Sequence, residues 1–164
     1  MLTTRRALTG GAAGLAVLAL TRWFTTPTQA AAGPFEVERP DAEWRRLLSP
    51  AQFAVLRQSG TERPYSSPLN EEHRRGSFAC AGCARELFPS STKFESGTGW
   101  PSFWAPVDGA IGTTRDASYG MIRTAVHCGR CGGHIGHVFD DGPRPTGLRY
   151  CMNGVAMTFR PAET

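Results

Sequence analysis

A mainly β fold is predicted for this chain: an antiparallel core behind two short N-terminal helices, stapled by a pair of cysteine knuckles. Three observations predict it. Beyond Pro68 the sequence breaks into short apolar pieces separated by Gly, Pro and Ser, with no further stretch of helical period long enough to commit to a helix. Apolar and polar residues alternate at Ile122, Thr124 and Val126 against Arg123, Ala125 and His127, and again at Val155, Met157 and Phe159, as half-buried strands do. Two Cys-x-x-Cys pairs, Cys80/Cys83 and Cys128/Cys131, then join distant parts of the chain, while a fifth cysteine, Cys151, stands apart.

In chain order, residues 1–32 read as an export signal. An arginine pair, Arg5-Arg6, precedes a weakly apolar run from Gly10 to Leu20, then Pro27 and Ala30-Ala31-Ala32, which is the pattern of a twin-arginine signal processed after Ala32, with Ala30 as the alternative site. The apolar run is about half of what a spanning helix needs and ends near Arg22, so an uncleaved membrane anchor is the secondary reading. The leader is Arg-rich and acid-free like a mitochondrial transit peptide, but the apolar block and Ala-x-Ala ending favour bacterial export to an extracytoplasmic or periplasmic location. Its removal takes away three arginines and no acid, leaving 15 basic against 14 acidic residues and a net charge of +1. The basic pI is therefore partly a property of the leader, and no nucleic-acid partner is expected.

Residues 33–164 form the expected domain, with its core at about 41–160. Trp44, Leu47 and Leu48 share a helical face. Ser49-Pro50-Ala51-Gln52 then supplies an N-cap, a proline at the first helical position and a capping-box Gln, with Phe53 and Leu56 inward and Gly60 as the stop. Each knuckle follows an apolar or β-prone residue, and glycines lie in or beside it (Gly82, Gly129, Gly132 and Gly133), freeing the backbone to fold around a metal.

Two such knuckles offer the four thiolates that tetrahedral zinc prefers, and 44 residues separate Cys83 from Cys128, so the metal staples distant segments. Disulfides are the alternative in an oxidising compartment, although a bridge within Cys-x-x-Cys closes a small, strained loop. Twin-arginine export carries folded proteins, which lets the metal load before translocation. With four thiolates no coordination position stays open, so the zinc at Cys80, Cys83, Cys128 and Cys131 is structural.

If residues 148–153 are extended, Arg149, Cys151 and Asn153 share one face and Leu148, Tyr150 and Met152 the other. The guanidinium beside Cys151 favours thiolate, the nucleophilic form. A lone buried cysteine acting as a small hydrophobe is the competing reading. Two imidazoles, His134 and His137, lie in a glycine-loosened segment, and residues 96–104 supply aromatic surface that includes Trp100. These are candidates for a proton donor and an apolar wall.

Together these motifs closely resemble the methionine-R-sulfoxide reductase family of B type, from about Trp44 to Phe159. The resemblance rests on both knuckles, Ser-Gly-x-Gly-Trp-Pro-Ser-Phe at 96–103, His-x-Gly-His-Val-Phe at 134–139 and Arg-Tyr-Cys-x-Asn at 149–153. It implies two twisted antiparallel sheets, Cys151 as nucleophile, His134 or His137 as proton donor, Trp100 and Phe139 holding the substrate's methyl group, and Asn153 and Arg149 orienting the site. The implied substrate is oxidised methionine, free or in proteins, and a monomer is expected. Where many relatives carry a second redox cysteine this chain has Thr98, so an external thiol, a thioredoxin-like protein or a small thiol, must regenerate Cys151. Asp140 stands where proline is common in the family, with little consequence expected. The competing functions are a zinc-ribbon binding module, disfavoured by the near-neutral charge, and a glutathione-dependent aldehyde-processing zinc protein.

Overall fold

The computed structural model describes residues 35–163. The predicted export signal lies outside the described residues. Two helices open the described chain, α1 at Asp41–Leu47 and α2 at Pro50–Gln58. The capping box forms as expected: the Ser49 side chain accepts from the Gln52 N–H while the Gln52 side chain accepts from the Ser49 N–H. Trp44, Leu48, Phe53 and Leu56 are buried, but Leu47 is 57% exposed. A seven-residue helix presents a narrow stripe to the core, and the chain has already turned away at Leu48, which is extended. The stop also differs from expectation. Ser59, at φ 55°, takes the left-handed position, and Gly60 follows it to donate to the Ala54 carbonyl.

Nine strands follow among the described residues, all pairing antiparallel: β1 Gly76–Cys80, β2 Glu86–Pro89, β3 Lys93–Phe94, β4 Ser102–Phe103, β5 Ile111–Asp116, β6 Arg123–Cys128, β7 His134–Phe139, β8 Arg149–Met152 and β9 Met157–Pro161. They form the two sheets expected, one ordered β2-β1-β9 and the other β3-β4-β8-β7-β6-β5. Phe78 from the small sheet meets Phe103 from the large one edge to face at 4.9 Å, and Phe88 stacks on Phe103 at 4.4 Å. Phe103, read from sequence as part of an exposed-looking aromatic loop, is therefore core, because pairing of β4 with β8 draws the end of that loop into the sheet. Leu87, Val126, Ile135 and Met152 complete the core, and α2 packs on β7.

The alternation in β6 holds only in part. Val126 and Cys128 are buried, Thr124 is exposed, and Ile122 is 72% exposed and precedes the strand. The face that is apolar at one end of β6 runs out of the core at the other. Val155 likewise falls in a short 3-10 turn before β9 rather than in the strand itself. No helix of the described residues is long and apolar enough to cross a membrane.

Candidate active site and metal centre

Each knuckle is the end of a strand and the turn that follows it. Cys80 ends β1 and Cys128 ends β6, so one half of the cluster comes from each sheet. The turns match: the residue four beyond the first cysteine is left-handed in both, Ala84 at φ 63° and Gly132 at φ 68°. Its N–H donates back to the first cysteine's carbonyl in each case. Gly82 is thus not the residue that needs glycine's freedom in the first knuckle.

The four sulfurs lie within 4.8 Å of one another. Zinc held by thiolates at about 2.3 Å gives tetrahedral edges of about 3.8 Å. The cross-sheet pairs Cys80–Cys131 and Cys83–Cys128 stand at 3.7 and 3.5 Å, close to that edge. The Arg130 N–H adds a hydrogen bond to the Cys128 sulfur, the kind of contact that steadies a metal-bound thiolate. The donor set fits structural zinc, and the metal joins the two sheets.

Cys151 lies in β8, between β4 and β7, opposite Ser102 on one side and His137 on the other. It lines a cavity of about 110 Å³ with Trp100, Arg123, His137, Phe139 and Asn153. Arg149 sits on the same face two residues away. Its guanidinium lies 4.5 Å from the Phe139 ring centre and makes two 2.8 Å hydrogen bonds to the Asp141 carboxylate. Burial pushes the Cys151 thiol up, against Thr98 and Arg149, which pull it down. The balance is the reverse of that expected from the neighbouring guanidinium alone, because Arg149 is shared with Asp141 while the thiol is largely desolvated.

The two histidines are three apart, a spacing that puts side chains on opposite faces of a regular strand. A bulge overturns this. His127 pairs with His134 and Val126 with Gly136, so Ile135 is an extra residue in β7 and turns into the core. His134 and His137 then share a face, with ring centres 5.3 Å apart, over a groove of about 610 Å³. Only His137 of the two also lines the cavity with Cys151. His134 is buried, its Nε2 has no hydrogen-bond partner among the described residues, and burial, with His137 adding, pushes its pKa down to about 4.

Two supports were not evident from the sequence. The Asp116 carboxylate, at the end of β5, accepts from Arg123 at 2.7 Å and lies 2.8 Å from His137 Nε2. Hydrogen bonds from Ser118, then those from His137 and Arg123, hold it well below the usual carboxylate range. The segment around Glu62 is the second. The Glu62 N–H donates to Asn153 Oδ1 at 2.9 Å, its carbonyl accepts from Trp100 Nε1 at 3.2 Å, and its carboxylate accepts from the N–H groups of Gly154 and Val155. Burial pushes the Glu62 carboxyl up. Asn153 also donates to the Ile135 carbonyl at 2.8 Å, so both ends of its amide are committed to backbone and it acts as a bracket between β7 and residue 62. Tight-turn residues near Asp116 were the one available signal for the first support; Glu62 had none.

A family model described as the SelR domain matches residues 48–161. The curated "Peptide methionine sulfoxide reductase MsrB" of Bradyrhizobium diazoefficiens is 54% identical over 127 residues, covering 77% of this chain and 91% of that one. The protein of the same name from Leptospira interrogans is 50% identical over 127 residues, covering 77% and 97%. That of Methanosarcina barkeri is 52% identical over 128 residues, covering 77% and 90%. Matches of this length and identity, spanning both knuckles and every strand, establish that the chain belongs to the methionine-R-sulfoxide reductase B family.

Proposed function

We propose that the chain is a peptide-methionine (R)-S-oxide reductase in which Cys151 attacks the sulfoxide sulfur. One observation carries the assignment of the nucleophile: the one cysteine outside the metal cluster faces a small cavity walled by Trp100 and Phe139, with His137 directly across the strand pair. The aromatic walls suit the substrate's methyl group, leaving the polar sulfoxide oxygen toward His137 and Arg123. The Cys151 thiolate forms a bond to sulfur, His137 gives a proton to the sulfoxide oxygen, and that oxygen passes to Cys151 as methionine leaves. One thiol and one sulfoxide become one sulfenic acid and one thioether.

Asp116 takes His137 Nε2, leaving Nδ1 as the nitrogen available for proton transfer. His134 is the weaker donor, since burial keeps it neutral near pH 7. Arg149 and Asn153 hold the nucleophile and the cavity wall in place. Two external thiol equivalents, from a thioredoxin-like protein or a small thiol, reduce the sulfenic acid to thiol and water and leave as a disulfide. The substrate is methionine R-sulfoxide, free or in a polypeptide. Residues 1–32 direct the enzyme out of the cytoplasm by a twin-arginine route, releasing it after Ala32, or anchoring it if uncleaved.

The test is turnover of the two methionine sulfoxide epimers by the purified, zinc-loaded protein with dithiothreitol. The R epimer is reduced, the S epimer is a poor substrate, and Cys151→Ser abolishes reduction with zinc and thermal stability retained. Equal turnover of both epimers, or an active Cys151→Ser, refutes the reading. For location, replacing Arg5 and Arg6 with lysine retains the precursor inside the cell; undiminished export excludes the twin-arginine route.

A further inference from the structure

The loop ahead of β4 brings three hydroxyls into a row that ends on the nucleophile. Ser102, 1% exposed and directly opposite Cys151 in the β4–β8 pair, has its Oγ 3.1 Å from the Trp100 carbonyl and 2.7 Å from Ser96 Oγ. Ser96 Oγ lies 2.8 Å from Thr98 Oγ1, and Thr98 Oγ1 lies 3.8 Å from Cys151 Sγ. Each hydroxyl carries one proton, so the directions of these bonds are coupled. With Cys151 as a thiol, the S–H donates to Thr98, and donation runs through Ser96 and Ser102 to the Trp100 carbonyl. A thiolate can only accept. Thr98 must then donate to sulfur, Ser96 to Thr98 and Ser102 to Ser96, each rotor reversing while the thiol proton leaves to solvent through the cavity. No proton passes along the row.

We propose that Thr98 is a further catalytic residue, the terminal donor of a buried hydroxyl row that stabilises the Cys151 thiolate; this rests on reading Cys151 as the nucleophile. The surroundings of the sulfur support that role. Arg149 faces it from the same strand but is held by both oxygens of Asp141, which comes from the loop after β7; His137 faces it from β7 and Arg123 from β6. On the β4 side and its loop, Trp100 lines the same cavity and the Thr98 hydroxyl, backed by Ser96 and Ser102, faces the sulfur. Thr98 and Arg149 both oppose the upward push of burial on the thiol. Aligned hydroxyls polarise one another, so the last donor in the row is stronger than an isolated threonine.

The test is the pH profile of Cys151 alkylation by iodoacetamide in the zinc-loaded protein, where the other four thiolates are bound to metal. Thr98→Val raises the midpoint by about one pH unit and slows alkylation at pH 7 about ten-fold, the scale of one charge-assisted hydrogen bond. Single-turnover reduction of the R-sulfoxide slows by a similar factor, and Thr98→Ser restores both. Ser96→Ala moves the profile the same way by less, and decides the matter should Thr98→Val lose zinc. An unchanged profile in a folded, zinc-replete Thr98→Val overturns the proposal. Alkylation reads the thiolate without turnover, so a catalytically active Cys151→Ser refutes the functional reading and leaves this measurement interpretable.

Discussion

Gly136, between the two histidines of β7, is the position where one added methyl group should do most harm to the site. A Cβ built there would lie 2.2 Å from the Cys151 carbonyl oxygen and 2.9 Å from the Met152 Cα, both backbone atoms. Relief to an ordinary contact of about 3.5 Å requires the two strands to part by more than about 1 Å. Strand β8 has little freedom to yield, because Met152 N–H donates to the Pro101 carbonyl on one side and Asn153 N–H to the Ile135 carbonyl on the other. The parting therefore falls on the neighbouring pair, His137 and Cys151, and changes the spacing of the reacting groups. Overpacking of this kind costs about 1–3 kcal/mol of stability, and a displacement of about 1 Å at a reacting atom costs about 100-fold in rate. Gly136→Ala should accordingly melt about 4–11 °C lower and lose about two orders of magnitude in kcat/KM for methionine R-sulfoxide while keeping its zinc. Thermal unfolding, elemental analysis and steady-state kinetics measure the three quantities. Gly82→Ala is the comparison, since its Cβ would meet nothing closer than 3.5 Å. Gly136→Ala with wild-type kinetics would refute the account of how β7 positions Cys151.

Cys128→Ser or Cys80→Ser should lose metal and fold together, because a structural zinc is worth on the order of 10 kcal/mol; normal zinc content and melting temperature in either variant would rule out the cluster as a metal staple. His134 has a folded-state pKa of about 4, below its unfolded value of about 6.5. The unfolded chain thus binds more protons between these values, and this residue's contribution to stability is lost as pH falls from about 6.5 to 4. Denaturant midpoints across that window should drop in wild type, and the slope should flatten in His134→Gln; an identical slope in both contradicts the burial argument. Asp116→Asn should lower kcat for R-sulfoxide by at least ten-fold with a smaller effect on KM, since it loosens the ring of His137 without touching the cavity's aromatic walls; a change confined to KM would show that Asp116 serves binding instead.

Local chemistry was legible in the sequence because its interactions span only a few residues. The Ser49 capping box, the two metal knuckles and the alternation that brings Arg149 and Cys151 to one face each follow from spacing within a turn or a strand. The motif pattern also revealed the family, and with it the two-sheet core. What depends on register and long-range pairing became visible only in the folded chain. Leu47 points outward because the next residue leaves the helix, and Ile122 because β6 runs out of the core. His134 and His137 share a face because Ile135 is an extra, unpaired residue of β7 opposite β6, a feature no two-residue period announces. Asp116 and the Glu62 segment reach the site through hydrogen bonds across 21 and 91 residues of chain. The ionisation of Cys151 likewise turned on burial against partly committed donors. Residue type and local spacing determine which groups are available for chemistry; strand register and desolvation decide which of them meet and in what protonation state.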